Sequence, residues 1–186
     1  MRIVAGNLKG RALVTPDGRD TRPTSDRARE AMFNVIAHAQ WAPALDGARV
    51  IDLFAGSGAL GFEAISRGAG FCLFVENSAS ARGAIRTNVE TFQLFGNTRI
   101  HRRSAADLGE KPAGVGDTFD LAFLDPPYQQ GLGPQAIAEL KVGNWLAPEA
   151  LVILEVGKEE TPELPDWDIR DERVYGAAKI IFMTSR

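Results

Sequence analysis

The chain has 186 residues, with 21 Lys+Arg, 24 Asp+Glu and 2 His, and a formal net charge of −3. A hydrophobic content of 45% and a charged content of 24% exclude wholesale disorder, and the length predicts one domain with at most a small appendage. On its face, the acidic balance argues against a nucleic-acid binder of the dedicated basic kind.

The first 30 residues differ in charge from the rest of the chain. They hold seven basic and four acidic residues, a net +3, whereas the remainder carries −6. Apolar pieces near residues 3–5 and 12–14, separated by turn residues, predict a small hairpin. A helix with Thr24 or Ser25 as its N-cap is expected to follow. We therefore expect residues 1–40 to form a basic hairpin-and-helix extension on a larger domain of residues 41–186.

From residue 49 onward, apolar strands alternate with amphipathic helices. Strands are predicted at residues 50–54, 71–76, 99–102, 119–125 and 151–156, helices at 59–66, 78–94 and 134–146, and a final hairpin at 168–175 and 179–184. This order predicts an α/β sandwich with a mostly parallel sheet that ends in an antiparallel hairpin. Because ligands of such sheets bind beyond the carboxyl ends of the strands, site residues are sought at 52–58, 76–77, 103–107 and 125–128.

The single cysteine, Cys72, lies in an apolar run and is interpreted as a buried hydrophobe. One cysteine excludes an internal disulfide, and no metal site is expected. The chain begins without the apolar stretch of a signal peptide, and no segment reaches the roughly 18 apolar residues of a membrane span. We therefore expect a cytoplasmic monomer with no membrane association.

The first of these strands ends in a glycine-rich turn that opens a helix. Gly56, Gly58 and Gly61 have G-x-G-x-x-G spacing, which permits a tight turn and the close approach of a ligand to the backbone. Glu76 ends the next strand, where an acidic side chain can accept hydrogen bonds from ribose hydroxyls. The two features predict a cofactor that contains adenosine, and leave a dinucleotide and S-adenosylmethionine as alternatives.

The fourth strand ends in the tetrapeptide Asp125-Pro126-Pro127-Tyr128. Its prolines fix the backbone and donate no N–H, so the turn offers only acceptors, namely carbonyls and the Asp125 carboxylate. Such a turn suits an exocyclic amino group, which has two protons to donate. Tyr128 adds a face on which a base can stack, a contact worth ~1–3 kcal/mol in single-stranded sites.

Three motifs of the chain resemble those of class I S-adenosylmethionine-dependent methyltransferases that methylate exocyclic amino groups of bases. These motifs are Asp52–Gly61, Glu76 and Asp125–Tyr128. The segments at residues 2–6, 10–11, 22–34 and 52–64 are similar to those of the RsmD family, bacterial methyltransferases of guanine N2 in small-subunit (16S) ribosomal RNA. The resemblance spans almost the whole chain. It implies a Rossmann-like class I methyltransferase sandwich with a seven-stranded sheet, and S-adenosyl-L-methionine as the cofactor.

The resemblance also implies roles for individual residues. The expected catalytic residues are Asp125, Pro126, Pro127 and Tyr128. The expected cofactor-binding residues are Asp52, Phe54, Ala55, Gly56, Ser57, Gly58, Gly61, Glu76, Asn77, Ser104 and Ala105. Ribosomal RNA, within a small-subunit assembly particle, is expected to contact Arg2, Lys9, Arg11, Arg22, Thr24 and Arg27, with Arg29 in the same phosphate-binding set.

Three other functions share parts of this pattern. A nicotinamide-dependent oxidoreductase would use the glycine turn and Glu76, but would leave Asp125–Tyr128 without a role. A methyltransferase acting on another base, such as adenine N6 in DNA, would use the tetrapeptide, although the chain lacks the length of a separate target-recognition domain. A non-catalytic RNA-binding module would need neither feature.

Overall fold

The computed structural model describes residues 1–17 and 24–186, so the expected RNA contact of Arg22 lies outside the described residues. Within the described part, seven strands form one sheet: β1 Arg49–Leu53, β2 Phe71–Val75, β3 Thr98–His101, β4 Phe119–Leu124, β5 Leu146–Gly157, β6 Trp167–Tyr175 and β7 Ala178–Ser185. The helices are α1 Asp26–His38, α2 Ala59–Ser66, α3 Ala79–Phe92 and α4 Leu132–Val142. No helix of the described residues is long and apolar enough to cross a membrane.

The strand order of the sheet is β3-β2-β1-β4-β5-β7-β6. Strands β1 to β5 pair in parallel, and β7 lies antiparallel between β5 and β6. The predicted α/β class, the mostly parallel sheet and the antiparallel terminal hairpin are therefore confirmed. Chain order reverses between β1 and β4, and the crevice beyond the carboxyl ends of these two strands is where such a sheet binds ligands.

Alternate residues of the strands pack on the two faces of the sheet. On one face, Val50, Phe74 and Phe123 belong to a core that includes residues of α1, α2 and α3. On the other face, Ile51 and Leu124 belong to a second core that includes residues of α4. Because both faces are covered, the parallel strands are apolar along nearly their whole length, as the sequence runs predicted.

Two predicted boundaries are wrong, because the helix expected to reach Leu146 ends at Val142 and the strand expected at residues 151–156 begins at Leu146. The N–H of Gly143 caps the helix by donating to the carbonyl of Glu139 at 2.9 Å, and Asn144 then adopts a left-handed backbone with φ 57°. This turn lets β5 begin at Leu146. The apolar residues after the turn are compatible with either a helix or a strand, so their hydropathy could not separate the two.

The N-terminal hairpin is smaller than predicted and consists of one antiparallel bridge between Arg2 and Ala12. It docks on α2 through Glu63, whose side chain is fully buried and whose two carboxylate oxygens accept hydrogen bonds from the N–H groups of Val4 and Ala5, both at 3.0 Å. The hairpin is thus held to the body of the protein by a buried charge.

A close backbone approach reinforces this docking. The Ser66 hydroxyl donates to the Ala5 carbonyl at 2.6 Å, and Gly6 has φ +80°. A Cβ added at Gly6 would lie 1.9 Å from the carbonyl oxygen of Ser66, so only glycine fits there. Ile3 and Leu13 join the same core as α1–α3, which makes the extension continuous with the hydrophobic core of the larger domain.

The structure contradicts one expectation about the basic extension, namely that Arg29 contacts RNA phosphates. Its side chain is fully buried rather than exposed to RNA phosphates. The guanidinium donates to the carbonyl of Arg2 and to Asp26 Oδ1, and its Nε lies 3.4 Å from Glu63 Oε2. A buried carboxylate needs a counter-charge, and this requirement places Arg29 inside the protein.

We predict that Glu63→Gln lowers the free energy of unfolding by about 3–5 kcal/mol, because it removes the buried carboxylate that pairs with Arg29 and Arg67 and leaves the buried Arg29 with the exposed Asp26. Urea denaturation measures the change. Glu90→Gln, on the exposed face of α3, is the matched control and should change stability by less than about 0.5 kcal/mol. Equal stability of the two variants would contradict this role of Glu63.

Candidate functional site

A cavity of about 1020 Å³ opens at the carboxyl edge of the parallel strands. Of the predicted site residues, it is lined by Asp52, Phe54, Ala55, Gly56, Ser57, Glu76, Asn77, Ser104, Ala105, Asp125, Pro126, Pro127, Tyr128 and Thr24. The N-terminal segment adds Met1, Thr15, Pro16 and Asp17, which sequence reasoning missed. The topology thus brings four strand ends and the extension to one place.

The glycine turn owes its shape to left-handed backbone and to tight packing. Gly58, with φ +79°, precedes α2, and a Cβ there would lie 2.7 Å from the ring of Phe62. A Cβ on Gly61 would lie 2.4 Å from the ring of Phe74. Gly58 and Gly61 are not among the residues that line the cavity and pack behind the turn, so their expected contact with the cofactor stays a prediction. Gly56 does line the cavity.

Two carboxylates accept hydrogen bonds from N–H groups of the glycine turn and helix α2. Glu76 Oε2 accepts from Gly56 N at 2.7 Å, and its Oε1 accepts from Ser78 N at 2.8 Å. Asp52 Oδ2 accepts from Gly61 N at 3.0 Å. The N–H of Gly56, which lines the cavity in the glycine-rich turn, is one that a pyrophosphate would need, and it is taken by Glu76. The geometry therefore disfavours a dinucleotide, one of the two cofactors that the motif left open.

The charge of the cavity also favours S-adenosylmethionine over a dinucleotide. Within the described residues its lining carries the acidic side chains of Asp17, Glu76 and Asp125, whereas its only basic side chain, Arg29, is already paired with Glu63. An acidic cavity attracts a cation and repels a pyrophosphate. The residues present therefore fit S-adenosylmethionine, which carries a sulfonium cation. Asn77, Ser104 and Ala105, which the resemblance assigns to cofactor binding, line this cavity.

Asp52 is buried and carries an altered charge state. Burial raises the pKa of its carboxyl from an ordinary value of 3.8 to about 8, the hydrogen bond from Gly61 opposes this shift, and the nearby charge of Glu76 adds to it. The proton therefore remains on Asp52 in the folded protein at neutral pH. Unfolding releases that proton, so folding stability falls as pH rises from about 4 to about 8.

The Asp-Pro-Pro-Tyr turn is held by residues outside the tetrapeptide. The Thr24 hydroxyl lies 3.3 Å from Asp125 Oδ2 and 2.9 Å from Glu155 Oε2, and the Tyr128 hydroxyl donates to Glu155 Oε1 at 2.6 Å. Thr24 was expected to contact RNA, but its hydroxyl bonds to carboxylates of the protein. Sequence reasoning missed Glu155. The available signal was its position as the one charged residue in the predicted strand 151–156.

The remaining residues predicted to bind RNA lie on the surface. Arg2, Lys9 and Arg11 of the hairpin and Arg27 of α1 are exposed. Arg11 is held in place over the ring of Phe92, with its Cζ 5.0 Å from the ring centroid, and Arg2 donates to the carbonyl of Gly10 at 2.7 Å. Their guanidinium and ammonium groups are therefore accessible to phosphates. No group of His, Cys, Asp and Glu able to hold a metal ion occurs within residues 1–17 and 24–186.

Comparison with known proteins places the chain in a family. A family model described as "Conserved hypothetical protein 95" matches residues 1–184. The chain is 37% identical to ribosomal RNA small subunit methyltransferase D of Escherichia coli strain K12 over 179 residues, which cover 95% of the chain and 85% of that protein. The chain therefore belongs to the family that this model describes, which includes that methyltransferase. The protein of the same name from Haemophilus influenzae is 35% identical over 180 residues, which cover 95% of the chain and 89% of that protein.

Solved structures agree on the fold of the family. The structure of yhhF from Escherichia coli has a TM-score of 0.85 at 35% identity and covers 100% of this chain and 98% of its own. A ribosomal protein L11 methylase from Lactobacillus delbrueckii has a TM-score of 0.62 at 17% identity, and the match covers 90% of this chain and 91% of that one. The class I methyltransferase fold expected from the sequence is therefore confirmed.

We predict that Asp52→Asn raises the free energy of unfolding by more at pH 8 than at pH 5. The variant removes a carboxyl whose ionisation the folded state opposes up to a pKa of about 8. Because one pKa unit corresponds to about 1.4 kcal/mol, the gain at pH 8 should exceed that at pH 5 by more than about 1 kcal/mol.

Urea denaturation at the two pH values measures this difference. The exposed Asp46→Asn is the matched control and should shift both values alike. A gain for Asp52→Asn that is independent of pH would contradict the proposed charge state.

Proposed function

We propose that the chain transfers a methyl group from S-adenosyl-L-methionine to the exocyclic N2 of a guanine in small-subunit ribosomal RNA. The observation that carries the proposal is the acceptor-only turn Asp125–Tyr128, which lies at the end of β4 and lines the acidic cavity. Membership of a family whose relatives are named ribosomal RNA small subunit methyltransferase D supports the RNA substrate. The resemblance of the tetrapeptide to amino-group methyltransferases supports the exocyclic nitrogen.

The residues of the turn would act by positioning and electrostatics. The cofactor supplies an electrophilic methyl group on a good leaving group, so the difficulty lies in a nucleophilic nitrogen whose lone pair is delocalised into the base. Asp125 and the Pro126 carbonyl would accept hydrogen bonds from the amino protons and orient the nitrogen. The negative charge of Asp125 would stabilise the positive charge that develops on the nitrogen as the N–C bond forms and the S–C bond of the cofactor breaks. S-adenosylhomocysteine would then leave, and the nitrogen would lose one proton to Asp125 or to water.

Access to the amino group requires a base outside its stack. Tyr128 lines the cavity beside Asp125 and offers an aromatic face to such a base. Glu76, held by the N–H groups of Gly56 and Ser78, would present its remaining lone pairs to the ribose hydroxyls of the cofactor. Residues of two strand ends would thereby hold both reactants within one cavity.

RNA would be held mainly by the basic extension. Lys9, Arg11 and Arg27 are exposed cations, and contacts to phosphates fix the orientation of an RNA without reading its sequence. The extension docks on α2, which directly follows the glycine turn, so phosphate contacts there would place a nearby base at the cavity.

We predict that Asp125→Ala lowers the rate of methyl transfer by about 10²–10³-fold, the loss typical of removing one preorganised electrostatic group. The assay uses labelled S-adenosylmethionine and small-subunit particles from cells that lack the protein. Mass analysis of the nucleosides then identifies the product. Binding of the cofactor, followed by thermal shift, should persist because Glu76 and the glycine turn are unchanged.

Asp117→Ala is the matched control, since this exposed residue lies before β4 at the opposite edge of the sheet. Full activity of Asp125→Ala would refute the mechanism. A methylated adenine in place of N2-methylguanosine would refute guanine and favour the alternative amino-group substrate.

We predict that combining Lys9→Ala, Arg11→Ala and Arg27→Ala weakens RNA binding and its dependence on salt. Each phosphate that the variant no longer neutralises should reduce the slope of log affinity against log salt concentration by about 0.7–0.9. Filter binding at several salt concentrations measures the slope. The exposed pair Arg170 and Arg173 of β6, replaced by alanine, is the control. An unchanged slope in the triple variant would exclude the extension as the RNA-binding surface.

A further inference from the structure

Glu155 has no role in the mechanism above, yet it lies beside the catalytic turn. In the parallel pairing of β4 and β5, Leu124 is the register partner of Leu154. The next residues of the two strands are Asp125 and Glu155, so two carboxylates follow the same register position. The Thr24 hydroxyl, 3.3 Å from Asp125 Oδ2 and 2.9 Å from Glu155 Oε2, lies between them.

The burial of Glu155 is unfavourable for stability. The residue is 6% exposed and follows the apolar run Leu151–Leu154. In the part of the chain that the structure describes, no Lys or Arg forms an ion pair with it, and its partners are two hydroxyl groups. The burial of a carboxylate costs several kcal/mol of desolvation, which an apolar residue would avoid. A role in folding alone does not account for it.

What Glu155 does hold is the aromatic ring of the site. Tyr128 lines the large cavity and also a second cavity of about 220 Å³, which Glu155 lines as well. Tyr128 is therefore one of the residues that the two cavities share. The hydroxyl of Tyr128 donates to Glu155 Oε1 at 2.6 Å, a short bond of the kind that charged acceptors form. This bond fixes the free end of the ring.

We infer that Glu155 is a positioning residue for the methyl-transfer site. One of its oxygens fixes the Tyr128 ring on which the base stacks, and the other holds the Thr24 hydroxyl against Asp125. The inference rests on the proposed function, because it assigns the two groups that Glu155 orients to the target base. Glu155 itself acts through Tyr128 and Thr24 and does not touch the reacting atoms.

Isosteric variants separate positioning from folding. Glu155→Gln keeps the shape of the side chain but replaces one acceptor oxygen by a donor. Tyr128→Phe removes the phenol that donates to Glu155, and Thr24→Val removes the bridging hydroxyl. Since a net hydrogen bond of about 1 kcal/mol corresponds to about fivefold in rate, each variant should lower kcat about 5–10-fold. The Kd for S-adenosylhomocysteine should stay within about twofold, because none of the three residues contacts the glycine turn.

Two controls keep these losses specific. Thr24→Ser retains the hydroxyl and should restore kcat to near the wild-type value. Glu159→Gln changes an exposed carboxylate four residues further along the chain and should leave kcat unchanged.

A double-mutant cycle tests the link between Glu155 and Tyr128. If the two residues act through one hydrogen bond, the variant that combines Glu155→Gln and Tyr128→Phe should lose about as much kcat as either single variant. Independent structural damage would instead multiply the two losses.

Tyrosine NMR tests the same bond without activity. The chain has two tyrosines, so Tyr175→Phe leaves Tyr128 as the only one. In this background the 13Cζ resonance of Tyr128 should shift with Glu155→Gln and stay in place with Glu159→Gln.

The outcomes distinguish this inference from the proposed function. A wild-type protein that methylates no small-subunit RNA would refute the proposed function, while the NMR comparison would still test the hydrogen bond. An active wild-type protein with wild-type kcat in Glu155→Gln, or with multiplicative losses in the cycle, would overturn the positioning role. Nonadditive losses together with the tyrosine shift support it.

Discussion

Acidic side chains that are buried or half-buried at the carboxyl edge of the sheet determine the arrangement of this protein. A carboxylate removed from water must accept hydrogen bonds, and here each one takes them from a segment that has to be placed correctly. Asp52 and Glu76 accept from N–H groups of the glycine turn and α2, and Glu155 accepts from two hydroxyls of the catalytic turn and the extension. The same bonds that satisfy the acids therefore shape the cavity.

The N-terminal extension obeys this constraint as well, which makes it part of the site. Glu63 binds two N–H groups of the hairpin and is paired with Arg29 of α1, so the hairpin, α1 and α2 are fixed to one another. Thr24 then brings the end of the extension to Asp125. The basic extension thus also completes the wall of the cavity, so under the proposed function RNA binding and base positioning would share one rigid support.

The difference between what the sequence predicted and what it missed follows from the range of the interactions. The positions of the glycine turn and of Asp125–Tyr128 were predictable, because each motif consists of consecutive residues that directly follow a predicted strand. Arg29 and Glu155 were not, because their roles depend on partners far along the chain: Glu63 for the first, Thr24 for the second. A lone charge near an apolar run has the same local pattern whether it is solvated or paired inside the fold.

The net charge of −3 is the sum of a basic N-terminal segment and an acidic remainder, and the ligands proposed for the site explain this division. An acidic cavity suits a cofactor with a sulfonium cation, but the same carboxylates repel the phosphates of an RNA. One surface cannot serve both ligands well. Under the proposed function, the cations that bind RNA would therefore lie on a separate segment that is close enough to the cavity to deliver a base. The exposed Lys9, Arg11 and Arg27 meet this requirement, whereas Arg29, turned inward to Glu63, contributes its charge to the structure instead.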